Sequence, residues 1–184
     1  MCILDEEAML ETDQTEIHNI ELIEKSGGIP ITLPVLQTFN REIIKSQVEL
    51  IDGLLFQGGL DLTPSLYHEK QKEETGMTNL QTDNFIIEVI KQTFERKIPI
   101  FGIYRGIQIL NVAFWGNFYR DLKYAGTNSG LHRQDDSQIY KHTINVIKDT
   151  MLSKMFPNND TLYINSYHHQ AIKDLALNFI IDVK

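Results

Sequence analysis

A side chain held out above a sheet by a tight strand-to-helix turn can act as a nucleophile. One stretch of this 184-residue chain has that layout. In Ile98-Pro99-Ile100-Phe101-Gly102-Ile103-Tyr104-Arg105-Gly106-Ile107-Gln108 an apolar run meets a helical pattern at Tyr104, with Gly102 and Gly106 on either side. This is the spacing of a nucleophile elbow: small neighbours suit a crowded turn, and the first N–H groups of the helix can hold developing negative charge. An ordinary strand-to-helix turn has the same spacing. In a second stretch, an apolar run ending at Phe56 reaches Gln57-Gly58-Gly59 and then the acidic Asp61. Paired glycines let backbone N–H groups approach a ligand closely, and they also make plain turns. The third stretch, Asn165-Ser166-Tyr167-His168-His169-Gln170, follows an apolar run and carries adjacent histidines. Neighbours on a strand point to opposite sides, and no cysteine or carboxylate stands at ligand spacing, so neither a metal nor a cofactor is expected. Cys2, the single cysteine, excludes an internal disulfide and reads as an incidental terminal thiol.

The elements that would position these residues alternate. Helical periodicity covers 13–26, with Ile17, Ile20 and Ile23 or Leu22 on one face, and stops at Gly27-Gly28. Short apolar runs predict strands over 29–33, 50–56, 98–103, 139–147, 162–164 and 178–183. Further helices are predicted over 39–47, over 80–96 with Phe85, Ile86, Val89, Ile90 and Phe94 on the apolar side, and over 105–114. The 98–103 run is apolar on both faces, as in a parallel sheet covered by helices. Such alternation predicts βαβ units, right-handed crossovers and a ligand site beyond the carboxyl ends of the strands.

Composition narrows the function. A net charge of −8 argues against a general nucleic-acid binder, and no apolar run is long enough to span a bilayer. The N-terminus lacks the basic and apolar regions of a secretory signal, so the cytoplasm is the expected location. The length suits one domain over 1–184, without repeats or low-complexity linkers.

In order along the chain, these segments resemble the γ-glutamyl-γ-aminobutyrate hydrolase family, a group of class I glutamine-amidotransferase-like, peptidase C26-type hydrolases. The likeness runs through Gly27-Gly28-Ile29-Pro30-Ile31-Thr32-Leu33-Pro34, Gly58-Gly59-Leu60-Asp61, Pro64 and Tyr67, the elbow into Asn111-Val112-Ala113, and Gly116-Asn117-Phe118-Tyr119-Arg120-Asp121-Leu122. It continues through His132, His142 and Asn165-Ser166-Tyr167-His168-His169-Gln170. The resemblance, with the alternation, implies a three-layer α/β sandwich with a mainly parallel, flavodoxin-like sheet, here C-terminally truncated. It implies a small-molecule γ-glutamyl compound or amino acid as partner and a homo-oligomer as one possible assembly. By family position, Gly59 and Arg105 would supply oxyanion N–H groups. Asp61, Gln108, Ser166, Tyr167, His168 and His169 would line the substrate site.

The chain departs from the family where the reaction happens. Working members carry a Cys at the elbow, a His-Pro-Glu segment supplying the base, and a Pro before Gly-Gly. Here Tyr104 and Gln57 occupy the first and last of these positions, and no His-Pro-Glu occurs in the 184 residues. A phenol ionises near ~10 against ~8.5 for a thiol, and its ring should fill the space of the substrate carbonyl. Gln57 is expected to loosen the oxyanion loop. Residues 1–4 read as a poor remainder of an opening strand, and the C-terminal end should leave a sheet edge exposed. The expectation is a catalytically inactive relative. The alternatives are a binding module for a γ-glutamyl or amino-acid ligand, or an enzyme completed by a partner chain.

Overall fold

The computed structural model describes residues 2–4, 14–36, 38–72, 75–126, 132, 140–166 and 168–184. They form two compact units, 1–117 and 118–184.

The first unit is built on a parallel four-stranded sheet of order β2-β1-β3-β4, made of β1 (Cys2–Leu4), β2 (Ile31–Leu33), β3 (Leu54–Phe56) and β4 (Ile100–Gly102). The short opening segment is therefore an interior strand. Ile3 pairs with Thr32 on one side and Leu55 on the other. On β3, Leu54, Leu55 and Phe56 are all buried, the mark of a strand covered on both faces. Their alternation shows which helix covers which face. Leu55 packs with Ile23 and Ile20 of α1 (Gln14–Lys25) and with Ile103. Phe56, facing the other way, lies against Gly106 of α4 (Arg105–Ala113). Two more helices complete the unit, α2 (Arg41–Val48) and α3 (Leu80–Glu95). Asn40 caps α2 by accepting from the N–H groups of Glu42 and Ile43, and Asn79 caps α3 by accepting from Thr82. Gly27, at φ 80°, ends α1 in the left-handed region that glycine occupies without a Cβ penalty.

Several expectations are corrected. On α1, Ile23 is the core residue, whereas Ile17 and Leu22 are exposed. On α3, Phe85, Ile86, Val89 and Ile90 are buried as expected, but Phe94 is 61% exposed. In the last turn of α3 only Thr93 stays buried, and the Phe94 ring rests edge-on against Phe114 with centroids 4.8 Å apart. Phe101 on β4 is also more than half exposed, so that strand is not covered on both faces along its whole length.

The second unit holds two small sheets. The strands β5 (Asn117–Tyr119) and β8 (Ala171–Asp174) form one, with the Lys173 ammonium 5.8 Å above the Tyr119 ring. The other joins β6 (Tyr140–Asn145) and β7 (Thr161–Ser166) in antiparallel register, His142 opposite Ile164. Between β6 and β7 lies the short α5 (Met151–Met155), opened by a capping box between Thr150 and Ser153. The strand predicted over 178–183 shrinks to one antiparallel bridge between Val146 and Val183. Asn178 has φ 69°, which no extended strand accommodates.

Two substitutions measure how the first unit divides its stability. Leu55→Ala, in a fully buried site, should cost about 2–5 kcal/mol in urea unfolding. Phe101→Ala should cost under about 1.5 kcal/mol, because more than half of that ring is already in water.

Candidate active site

The elbow is present in backbone geometry. Ile103 donates its N–H to the Phe56 carbonyl at 2.8 Å, keeping β4 in register with β3 up to the turn. Tyr104 then takes φ 57° and ψ −112° as the cap of α4. These angles match the first central position of a type II′ turn, where glycine dominates. A non-glycine residue held there carries roughly 1–3 kcal/mol of strain. The flanking glycines explain why the turn holds. A Cβ on Gly102 would lie 2.6 Å from the Gly106 carbonyl carbon and 2.8 Å from Leu110 Cδ1. One on Gly106 would lie 2.8 Å from the Phe56 oxygen. Strand end and helix start thus touch backbone to backbone, and no side chain fits between them.

Tyr104 is 47% exposed. Its Cδ1 lies 3.6 Å from where a Cβ on Gly58 would be, so the ring stands beside the Gly58-Gly59 turn. Gln57, immediately before that turn, is buried and its Oε1 accepts from Asn19 Nδ2 of α1 at 2.8 Å. The expectation that Gln57 loosens the loop is therefore corrected: a buried side-chain bond ties it to the neighbouring helix. Asp61 accepts the N–H of Gly76 at 2.8 Å, bracing the loop that follows. Gln108 is buried on α4.

The Arg105 side chain turns inward and pairs with Asp83 of α3, both almost fully buried. The second carboxylate oxygen of Asp83 accepts the N–H of Thr63 at 2.9 Å. Burial pushes the Asp83 carboxyl above its ordinary range, against the opposing pull of Arg105 and the Thr63 N–H. Sequence reading missed Asp83. The available signal was an acid three residues before Ile86 and seven before Ile90, within the apolar stripe of α3, where a charge needs a partner.

In the second unit, the buried Ser166 ends β7, and its Oγ lies 3.0 Å from His132 Nδ1. The His132 ring is 4.8 Å from that of His168 and 5.0 Å from that of His142. His168 Nδ1 lies 2.9 Å from the Gln170 carbonyl, so that nitrogen carries the proton and donates. His169 Nδ1 is 3.5 Å from Asp121 Oδ2, and its carbonyl accepts from Leu122 N–H at 2.7 Å. The adjacent histidines thus face different partners. Tyr167 lies outside the described residues. Among the described residues no group of three or more His, Cys, Asp or Glu is placed to hold a metal ion, and no helix is long and apolar enough to cross a membrane.

The Peptidase C26 family profile matches residues 3–183. The chain belongs to that family. Protein NtpR of Enterococcus hirae is 36% identical over 159 residues, which are 85% of this chain and 64% of that protein. The chain thus spans a little under two thirds of that relative's length. The γ-glutamyl-γ-aminobutyrate hydrolase of Escherichia coli O157:H7 is 30% identical over 172 residues, 90% of this chain and 66% of that enzyme. A glutamine amidotransferase from Thermotoga maritima has the same fold, with a TM-score of 0.62 at 14% identity over 99% of this chain and 65% of that one. The expected α/β fold of the class I glutamine amidotransferases is therefore correct.

Asn19→Ala should leave the Gln57 oxygen buried without its donor and cost about 1–3 kcal/mol, read by urea unfolding. His132 supplies a pH test. Burial, then His168 and His142, hold it below its ordinary value near 6.5. As pH falls through that value, the unfolded chain takes up the proton before the folded one does. Stability should therefore rise with pH across the interval just below about 6.5. His132→Asn should flatten this dependence in thermal melts taken at pH 5.0 to 7.5.

Proposed function

We propose that this chain is a non-catalytic member of the Peptidase C26 family that binds a small γ-glutamyl compound or amino acid in the cytoplasm. The observation carrying the reading is Tyr104: a phenol at the strained tip of the elbow, beside the Gly58-Gly59 turn. A phenol is scarcely ionised at neutral pH, and its ring takes the room a substrate carbonyl needs. By family position, the N–H groups of Gly59 and Arg105 would face the ligand's carbonyl oxygen. Asp61, Gln108, Ser166, Tyr167, His168 and His169 would contact the remainder. The reading treats 1–184 as one glutamine-amidotransferase-like domain. It draws support from the retained Gly-Gly turn, the elbow backbone and the likeness to a γ-glutamyl-γ-aminobutyrate hydrolase.

The purified chain is expected to release no nitroaniline from γ-glutamyl-p-nitroanilide above a heat-treated control, and to bind glutamate, glutamine or a γ-glutamyl amide in calorimetry. Turnover above the control sinks the non-catalytic half of the proposal; no binding heat at millimolar ligand sinks the other half. Tyr104→Gly is expected to bind the same ligands more tightly. It should also gain roughly 1 kcal/mol in urea unfolding, because glycine takes a positive φ without the Cβ penalty.

A further inference from the structure

The segment that follows the glycine turn and the residue that follows the elbow tip come from different parts of the chain, yet both bond one carboxylate. Asp83 Oδ1 accepts from Arg105 Nη2, and Arg105 is the residue immediately after the elbow tip. Asp83 Oδ2 accepts from the N–H of Thr63, four residues past Gly59. The Asp83 side chain is 1% exposed and that of Arg105 5%. Asp83 stands in the first turn of α3, whose other inward residues are fixed in the core, so the anchor itself is rigid. Displacing either partner would leave charge unsatisfied in a low-dielectric interior, an expensive change.

We infer that Asp83 is a positioning residue that fixes the glycine turn and the elbow relative to each other, so that neither opens without the other. Its importance for ligands rests on the reading above, in which the Gly59 and Arg105 N–H groups face the ligand. The coupling itself does not depend on that reading. Asp61 cannot serve the same purpose through its bond to Gly76, because that bond leads away from the elbow.

The test is amide hydrogen exchange by mass spectrometry on the full chain, comparing segments 57–63 and 103–107 with segment 20–30 as an internal control. Asp83→Asn preserves shape and changes only the charge and one acceptor. It should speed exchange in both segments by about tenfold or more, with the control segment unchanged. A residue that merely filled space would leave both segments at the wild-type rate. Arg105→Met should speed exchange in 57–63 as well as in its own segment. Thr63→Pro should do the same in 103–107. Thr63 already has φ −60°, the angle proline imposes, so that variant keeps the test available should Arg105→Met fail to fold. A change confined to the mutated side in either variant overturns the inference. Calorimetry with glutamate separates the two proposals. A wild-type chain that binds nothing defeats the proposed function, while the exchange data alone decide the coupling.

Discussion

The first unit depends on the contact between the end of β4 and the start of α4. Gly102 and Gly106 meet there at a distance that admits no Cβ, and Gly106 also lies against the Phe56 carbonyl. With strand and helix this close, the connecting residue has little choice of conformation. It must turn the chain sharply, and Tyr104 does so at φ 57°. The strained residue is bracketed by made backbone bonds, Ile103 N–H to Phe56 before it and the tight i to i+3 bond from Ile107 N–H to Tyr104 after it.

Around this contact, polar side chains do what hydrophobic packing cannot. Apolar burial is non-directional: it holds α1 on one face of β3 and α4 on the other without setting where a loop points. The loop after β3 is oriented instead by Asn19 with Gln57, by Asp83 with Thr63, and by Asp61 with Gly76. Each bond joins residues far apart in sequence or on different elements, so each transmits position. Asp83 is the most exacting of these groups, because burial works against its charge while Arg105 and Thr63 work for it.

Local patterns made much of this legible in the sequence. Gly102 and Gly106 marked the elbow, and the apolar run ending at Phe56 marked β3 as a strand. The Gly27-Gly28 pair marked the end of α1. Long-range properties were hidden. That β1 is an interior strand is set by two partners drawn from other parts of the chain, which three residues cannot announce. Ile17 and Phe94 have core chemistry but lie where their helices leave the core, and periodicity does not show where a helix ends its contact. The tail at 178–183 reads as a strand by composition, yet the backbone of Asn178 is left-handed. Gln57 looked like a weakness because its partner, Asn19, is 38 residues away. The grouping of Ser166 with His132 was equally invisible, since it comes from the second unit's own folding rather than from spacing.

The elbow also separates two things usually seen together. In a working nucleophile elbow, the strained backbone and the reactive side chain occur at one residue, and it is tempting to read the strain as a consequence of the chemistry. Here the strain has a complete mechanical cause in the residues on either side. Gly102 and Gly106 set the approach, Phe56 receives both the Ile103 hydrogen bond and the Gly106 backbone, and Asp83 holds Arg105 from beneath. None of these contacts uses the side chain at position 104. The turn can therefore carry a thiol, a phenol or no side chain at all without altering the packing that makes it. Fold and reactivity at this point are set by different atoms, so the backbone of an elbow does not by itself report whether a nucleophile stands on it.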